Sequence, residues 1–242
     1  MTRTQEQTLR RLVAQACHIL YIEGHEDFHL GHASARAPDG NRIYVKPAGL
    51  GLQEVQPVDV AVMDLEGHQL AGRHPLHREM PIHTEIYRAR PDVQAVIHTH
   101  PPYATAFSAT GKEFIPLGQR AAAFFQGIQT YESPELITTR ERGAALAQRL
   151  GQNSAVLLRS HGIAAVGRTV EEAVVAAISL EKSLRLQVLA SLLGGPDALA
   201  PEAGKTWSAE AATGNTERIK AIWAYLVRKA ERELSGHRGS RR

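Results

Sequence analysis

The stretch Val93-Gln94-Ala95-Val96-Ile97-His98-Thr99-His100 stops at Pro101-Pro102. Its apolar, β-branched run predicts a buried strand, and the prolines close it because proline has no N–H to give a ladder. Side chains two apart on a strand share a face, so His98 and His100 turn the same way at the strand's C-terminal end. Open α/β sheets commonly seat ligands there. The spacing suits two ligands of one metal ion. It suits equally two half-buried, hydrogen-bonded imidazoles, and in a chain with 12 histidines in 242 residues such a pair arises readily by chance.

Further along, Ala155-Val156-Leu157-Leu158 reads as another buried strand and runs straight into Arg159-Ser160-His161-Gly162, where glycine allows a sharp turn. If the two strands are neighbours, His161 completes a three-histidine site with an open coordination position, the feature that separates catalytic from structural zinc sites. Upstream, Pro81 can start a helix that Pro91 follows, predicting helix from about Pro81 to Arg90. Glu79 precedes it. Near a cation its carboxylate could act as general acid/base, but from the residues alone it reads as an ordinary first-turn helix acid.

Outward from these elements, Leu9, Leu12, Val13, Ala16 and Leu20 recur at helical spacing, with Gly24 as a stop. Arg42–Lys46 and Val58–Met63 read as strands separated by Pro47, Gly49, Gly51 and Pro57, and Asp64–His68 as a strand end turning into a loop. Helices are expected over Tyr103–Ala109 and Thr139–Leu150, and from a Thr169/Glu172 capping pattern to Leu193, where Gly194-Gly195-Pro196 ends it. Ile219, Ile222, Trp223 and Leu226 give a last amphipathic helix. Its Trp223, Tyr225 and Leu226 would cover either this chain or a neighbouring subunit. With no internal repeat and mixed element order, residues 1–195 form one α/β domain of the α+β type. Residues 196–234 follow as a loop and helix, and 235–242 as a disordered basic tail.

Composition bounds the function. Apolar residues make up 43% and charged residues 22%, as in a soluble protein with a large core. The isoelectric point is near 9.1, but the net charge is only +3. Much of that excess sits in Arg238-Gly239-Ser240-Arg241-Arg242, so no nucleic-acid partner is expected. No run approaches the roughly 20 apolar residues of a membrane span, and the first residues lack a signal peptide's apolar core, which predicts a cytoplasmic protein. The single Cys17, among Val13, Ala16 and Leu20, rules out an intrachain disulfide and a multi-cysteine zinc site, and reads as a buried thiol.

Five short motifs occur in order: Gly31-His32-Ala33-Ser34-Ala35-Arg36, Lys46-Pro47-Ala48-Gly49, Glu79-Met80-Pro81-Ile82-His83-Thr84-Glu85-Ile86-Tyr87, His98-Thr99-His100-Pro101 and His161-Gly162. Together they give the chain a resemblance to the class II aldolase/adducin family over most of residues 5 to 195. The first resembles that family's Gly-(Asn/His)-x-Ser-x-Arg signature, the second its (Ser/Lys)-Pro-x-Gly loop, the third its Glu-x-x-x-His-x-x-x-Tyr element, and the last two its metal-binding elements. The resemblance implies a single domain with a central mixed, mainly antiparallel sheet flanked by helices, and a homotetramer with active sites near subunit interfaces. It implies that His98, His100 and His161 bind one divalent ion per subunit, zinc first, with manganese, iron or cobalt as alternatives. It puts Glu79 at the acid/base position, reversing the reading from the residues alone, and leaves His83 as a supporting or core residue.

Sugar-phosphate aldolases of that family typically carry Gly-Asn-x-Ser, a Thr-Gly pair and two serines before the acid. Here the corresponding places hold His32, Ala48-Gly49 and His77-Arg78. With Arg78 able to pair bidentately with a planar carboxylate and Lys46 able to add charge, the expected substrate site is His32, Ser34, Lys46, Gly49, His77 and Arg78. The stretch His77–Tyr87 most resembles family members that decarboxylate dihydroxylated aromatic acids such as 3,4-dihydroxyphthalate. The implied activity is a metal-dependent carbon–carbon lyase acting on a hydroxylated carboxylate through a metal-stabilised enolate. An aldolase acting on a hydroxy-keto acid or sugar, a non-catalytic adducin-like module and an iron oxygenase are the alternatives.

Overall fold

The computed structural model describes residues 2–195 and 215–239. Helix α1 (Arg3–Ile22) leads into strands β1 (His32–Arg36), β2 (Arg42–Val45), β3 (Ala61–Asp64) and β4 (Gln69–Ala71). Helix α2 (Met80–Ala89), strand β5 (Ala95–Thr99) and helix α3 (Pro102–Thr110) follow, then β6 (Gln129–Tyr131), α4 (Arg140–Leu150), β7 (Ala155–Leu158), β8 (Gly162–Gly167), α5 (Val170–Leu192) and α6 (Asn215–Gly239). The strands form one sheet in the order β4-β3-β2-β1-β5-β8-β7-β6. Every neighbouring pair is antiparallel except β6 with β7. The expected mixed, mainly antiparallel sheet flanked by helices is what forms.

Both faces of the sheet are covered. Ala95 and Ile97 of β5 face one apolar cluster, with Val13, Cys17 and Leu20 of α1 and Val174 and Ala177 of α5. Val96 faces the other, with Ile82 and Ile86 of α2 and Leu146 and Leu150 of α4. Burial on both faces explains why β5 and β7 read as continuous apolar runs rather than alternating ones. Cys17 is fully buried, and burial pushes its thiol up to about 12.

Three sequence expectations need correction. The strand drawn over Val58–Met63 begins only at Ala61, because Pro57 offers no N–H and the Asp59 carboxylate accepts from the Gln56 N–H at 2.9 Å, closing a turn. The strands preceding His98 and His161 are not neighbours: β8 lies between β5 and β7 and pairs with both, and His161 sits in the turn joining β7 to β8. The segment taken as a disordered tail from residue 235 continues α6 as far as Gly239, since a helix already under way extends at little cost. Residues 240–242 and the loop expected at 196–214 lie outside the described residues.

Helix α6 packs on its own chain. Leu226 and Ala230 are buried in the cluster shared with α1 and α5, and Trp223 packs partly buried against it, while Tyr225 is half exposed. An ion pair fixes the contact: Glu23, after α1, pairs with Lys182 of α5 and lies 2.9 Å from Lys229 of α6. Glu181 of α5, also buried, accepts from the N–H groups of Tyr103 and Ala104 at 3.0 and 2.8 Å. These are two of the orphan donors of the α3 N-terminus, so α5 fixes the chain just after His100.

Candidate metal centre and substrate cavity

Strand β5 carries His98 fully buried on the face that looks toward α2. His98 Nδ1 lies 2.9 Å from the Ile163 carbonyl, to which it must donate, leaving the Nε2 lone pair outward. His100, one residue beyond the strand, has Nδ1 2.8 Å from Asp27 Oδ2. A carboxylate accepts, so this ring too presents an Nε2 lone pair. The two Nε2 atoms stand 3.1 Å apart. Two lone pairs at that distance repel in the absence of a cation. The spacing is close to the roughly 3.3 Å between ligands of a tetrahedral ion with bonds of about 2.0–2.1 Å.

Two more donors converge there. The backbone turn at Ser160, whose φ is +53°, and the following His161 N–H, 3.1 Å from the Leu158 carbonyl, aim the His161 ring inward. Glu79 stands at the N-cap position of α2, with its side chain turned away from the helix's own N–H groups. Its Oε1 accepts from the Ile137 N–H at 2.8 Å, and its Oε2 lies 3.7 Å from His98 Nε2 and 3.6 Å from His161 Nε2. Burial alone would raise the Glu79 pKa, but the His161 and His98 rings facing Oε2 outweigh it and hold the carboxyl well below the usual range. Donor atoms of Glu79, His98, His100 and His161 all lie within 4.8 Å of one another. Three imidazoles and a carboxylate around one point fit a divalent ion.

Gly162 lets this cluster close. A Cβ there would overlap the Thr99 carbonyl oxygen and come within 2.8 Å of His100 Cδ2. At Gly31, which leads into β1 with φ +72°, a Cβ would come within 3.3 Å of Thr99 Cγ2.

The cluster borders a cavity of about 980 Å³. His32 and His77 form one wall, with ring centroids 4.7 Å apart, and His32 stands 4.9 Å from the His98 ring. Arg78 is exposed on the same wall, and no carboxylate among the described residues pairs with it. Burial and the neighbouring Lys46 charge push the His77 pKa down to about 3.

Three residues expected at the substrate are not on that wall. Lys46 is fully buried behind His77, with Nζ 2.9 Å from the His29 carbonyl, 3.2 Å from the Pro47 carbonyl and 3.2 Å from His77 Nε2. The ammonium is enclosed by these three partners, and burial lowers its pKa to about 8. Ser34 is buried between His83 and Tyr87. Gly49 turns with φ +82°, and its neighbour Ala48 reaches the wall instead. A motif fixes where the backbone passes, not how far each side chain reaches.

Asp27 was not legible in the sequence. It lies in the loop Gly24-His25-Glu26-Asp27-Phe28-His29, which borders the cavity, and an acid set between histidines was the one available signal. Such a carboxylate orients a ligand imidazole and raises its basicity. Asp27→Asn is expected to weaken divalent-ion binding about 10–100-fold, read by zinc titration against a chelating dye. Unchanged affinity would remove Asp27 from the site.

The chain belongs to the class II aldolase and adducin N-terminal domain family, whose model matches residues 11–188. Among its relatives, the 3,4-dihydroxyphthalate decarboxylase of Arthrobacter keyseri is 32% identical, over 88% of this chain and 95% of its own length. A protein of the same name from Terrabacter sp. (strain DBF63) is 34% identical, over 79% of this chain and 85% of its own. A crystal structure of an aldolase II superfamily protein from Pseudomonas syringae superposes with a TM-score of 0.88 at 25% identity, covering 96% of this chain and 95% of that one. Family, relatives and donor cluster together make the protein an enzyme of the lyase class. No described helix is long and apolar enough to cross a membrane.

Proposed function

We propose that the protein is a divalent-metal-dependent decarboxylase of a hydroxylated aromatic carboxylate of the dihydroxyphthalate type. The observation that carries this reading is the Glu79–His98–His100–His161 cluster, which opens on a wall bearing Arg78 and His77 instead of small hydroxyls. In this reading His98, His100 and His161 hold the ion, with zinc the first candidate. A bound cation would act as a Lewis acid toward adjacent substrate oxygens. Arg78 offers a planar fork of donors to the carboxylate that stays on the ring. Glu79, held ionised, first takes the proton of a substrate hydroxyl at Oε2. When the C–C bond breaks and CO₂ leaves, Glu79 returns that proton to the ring carbon, so one carboxylate serves as base and then as acid. The small-carboxylate substrate and the four-subunit assembly implied by the family resemblance belong to the same reading.

The test is CO₂ release from a panel of dihydroxyphthalates and dihydroxybenzoates with Zn²⁺, Mn²⁺ or Fe²⁺. Turnover of at least one member with one of the metals is expected. No turnover with any of them would remove the proposal, whereas aldehyde release from a hydroxy-keto acid would put an aldolase in its place.

A further inference from the structure

Behind the cavity wall runs a chain of buried side chains that ion binding does not require. His32 Nδ1 lies 2.6 Å from His83 Nε2, His83 Nδ1 lies 2.6 Å from Ser34 Oγ, and Ser34 Oγ lies 2.8 Å from the Tyr87 phenol oxygen. All four residues are buried. Strand β1 supplies His32 and Ser34 two positions apart on one face, and α2 supplies His83 and Tyr87 one turn apart. The two periods match, so one strand face and one helix face interlock through hydrogen bonds.

Between neutral groups such a chain runs in one direction, because each member donates to the next. The Tyr87 end sets that direction. The phenol is buried, and among the described residues Ser34 Oγ is the only acceptor placed within hydrogen-bond distance of its oxygen, so a phenol that merely accepted would strand its own hydrogen. The phenol's own hydrogen therefore goes to Ser34 Oγ. Ser34 donates in turn to His83 Nδ1, and His83 Nε2–H donates to His32 Nδ1. The remaining ring hydrogen of His32 then resides on Nε2. His32 lines the cavity beside His98, so that N–H is the group the ring has left to offer there.

We propose that His32 presents an uncharged Nε2–H donor to an anionic oxygen of the ligand beside the His98–His100–His161 cluster, and that His83 is the positioning residue that holds this tautomer. The nature of the oxygen, carboxylate or phenolate, rests on the decarboxylase reading; the tautomer does not. A neutral donor suits this place. A second cation next to a bound dication would be repelled, while a fixed N–H dipole needs no rearrangement as charge develops on the ligand.

The test combines a spectroscopic and a kinetic arm. Histidine side-chain ¹⁵N spectra of the zinc-loaded full chain, with His32 and His83 signals assigned through His32→Asn and His83→Asn, should show His32 protonated at Nε2 and bare at Nδ1. Tyr87→Phe, which removes the start of the chain, should shift His32 toward a mixture of tautomers. A wild-type His32 protonated at Nδ1 would overturn the proposal. In the kinetic arm His32→Asn, which keeps an N–H donor, should turn over at least about 10²-fold faster than His32→Leu. Equal rates for the two would overturn the donor role. The expected tautomer without CO₂ release from any substrate would count against the decarboxylase reading and leave the tautomer assignment standing.

Discussion

Replacing Glu79 with glutamine is expected to slow turnover by about 10²–10⁴-fold while each chain keeps its divalent ion. The geometry makes this substitution informative. The glutamine carbonyl can still accept the Ile137 N–H that fixes Glu79 Oε1, so the side chain stays in place. What disappears is the oxygen within 3.7 Å of His98 Nε2 and 3.6 Å of His161 Nε2, and with it the ability to carry a proton. Steady-state rates and metal content measured on the same preparation separate two roles. Lost turnover with the ion retained identifies the proton carrier. Loss of both in proportion would make Glu79 a fourth ligand and return the proton to another group.

Gly162→Ala should damage the centre without replacing any of its donor residues. The added methyl would meet the Thr99 carbonyl oxygen and the His100 ring, both on the segment that presents His98 and His100. Neither can retreat easily. Thr99 is bound into β5 between two neighbouring strands, and His100 is tied to Asp27. Overpacking of this kind costs about 1–3 kcal/mol, visible as a lower unfolding midpoint, and should weaken zinc binding at the same time. Gly40→Ala is the contrast. Gly40 has a left-handed φ, +78°, which Gly162 does not, and nothing stands within 4 Å of its would-be Cβ. It should lose about 1 kcal/mol of backbone preference and bind metal as the wild type does. If the two variants bound zinc alike, the close approach at Gly162 would not hold the site together.

What could be read in the sequence follows the physics of each element. His98 and His100 were legible because a strand's period of two is rigid, and His161 because the apolar run of β7 delivers it directly. Strands β1 and β8 carry no such signal. In His32-Ala33-Ser34-Ala35-Arg36 and Gly162-Ile163-Ala164-Ala165-Val166-Gly167 small residues break up the larger ones and both faces are buried, so neither segment shows a clear polar/apolar alternation. With β8 unread, nothing in the sequence places a strand between β5 and β7. Asp27 and the Ile137 N–H are joined to His100 and Glu79 only by tertiary folding, across loops whose course no periodicity dictates. Lys46 was legible as a residue near the site and illegible as a buried one, because a lysine's type says nothing about whether water reaches it.

The burial of Lys46 separates two sources of attraction for an anion. Arg78 stands in solvent, where mobile counter-ions gather and a Debye length of about 8 Å at physiological ionic strength limits its reach. No such atmosphere can form around the Lys46 ammonium, which is enclosed by two carbonyls and the His77 ring. Added salt therefore mutes the pull of the rim, while the inner charge persists and fades only as the medium turns alkaline and the ammonium gives up its proton.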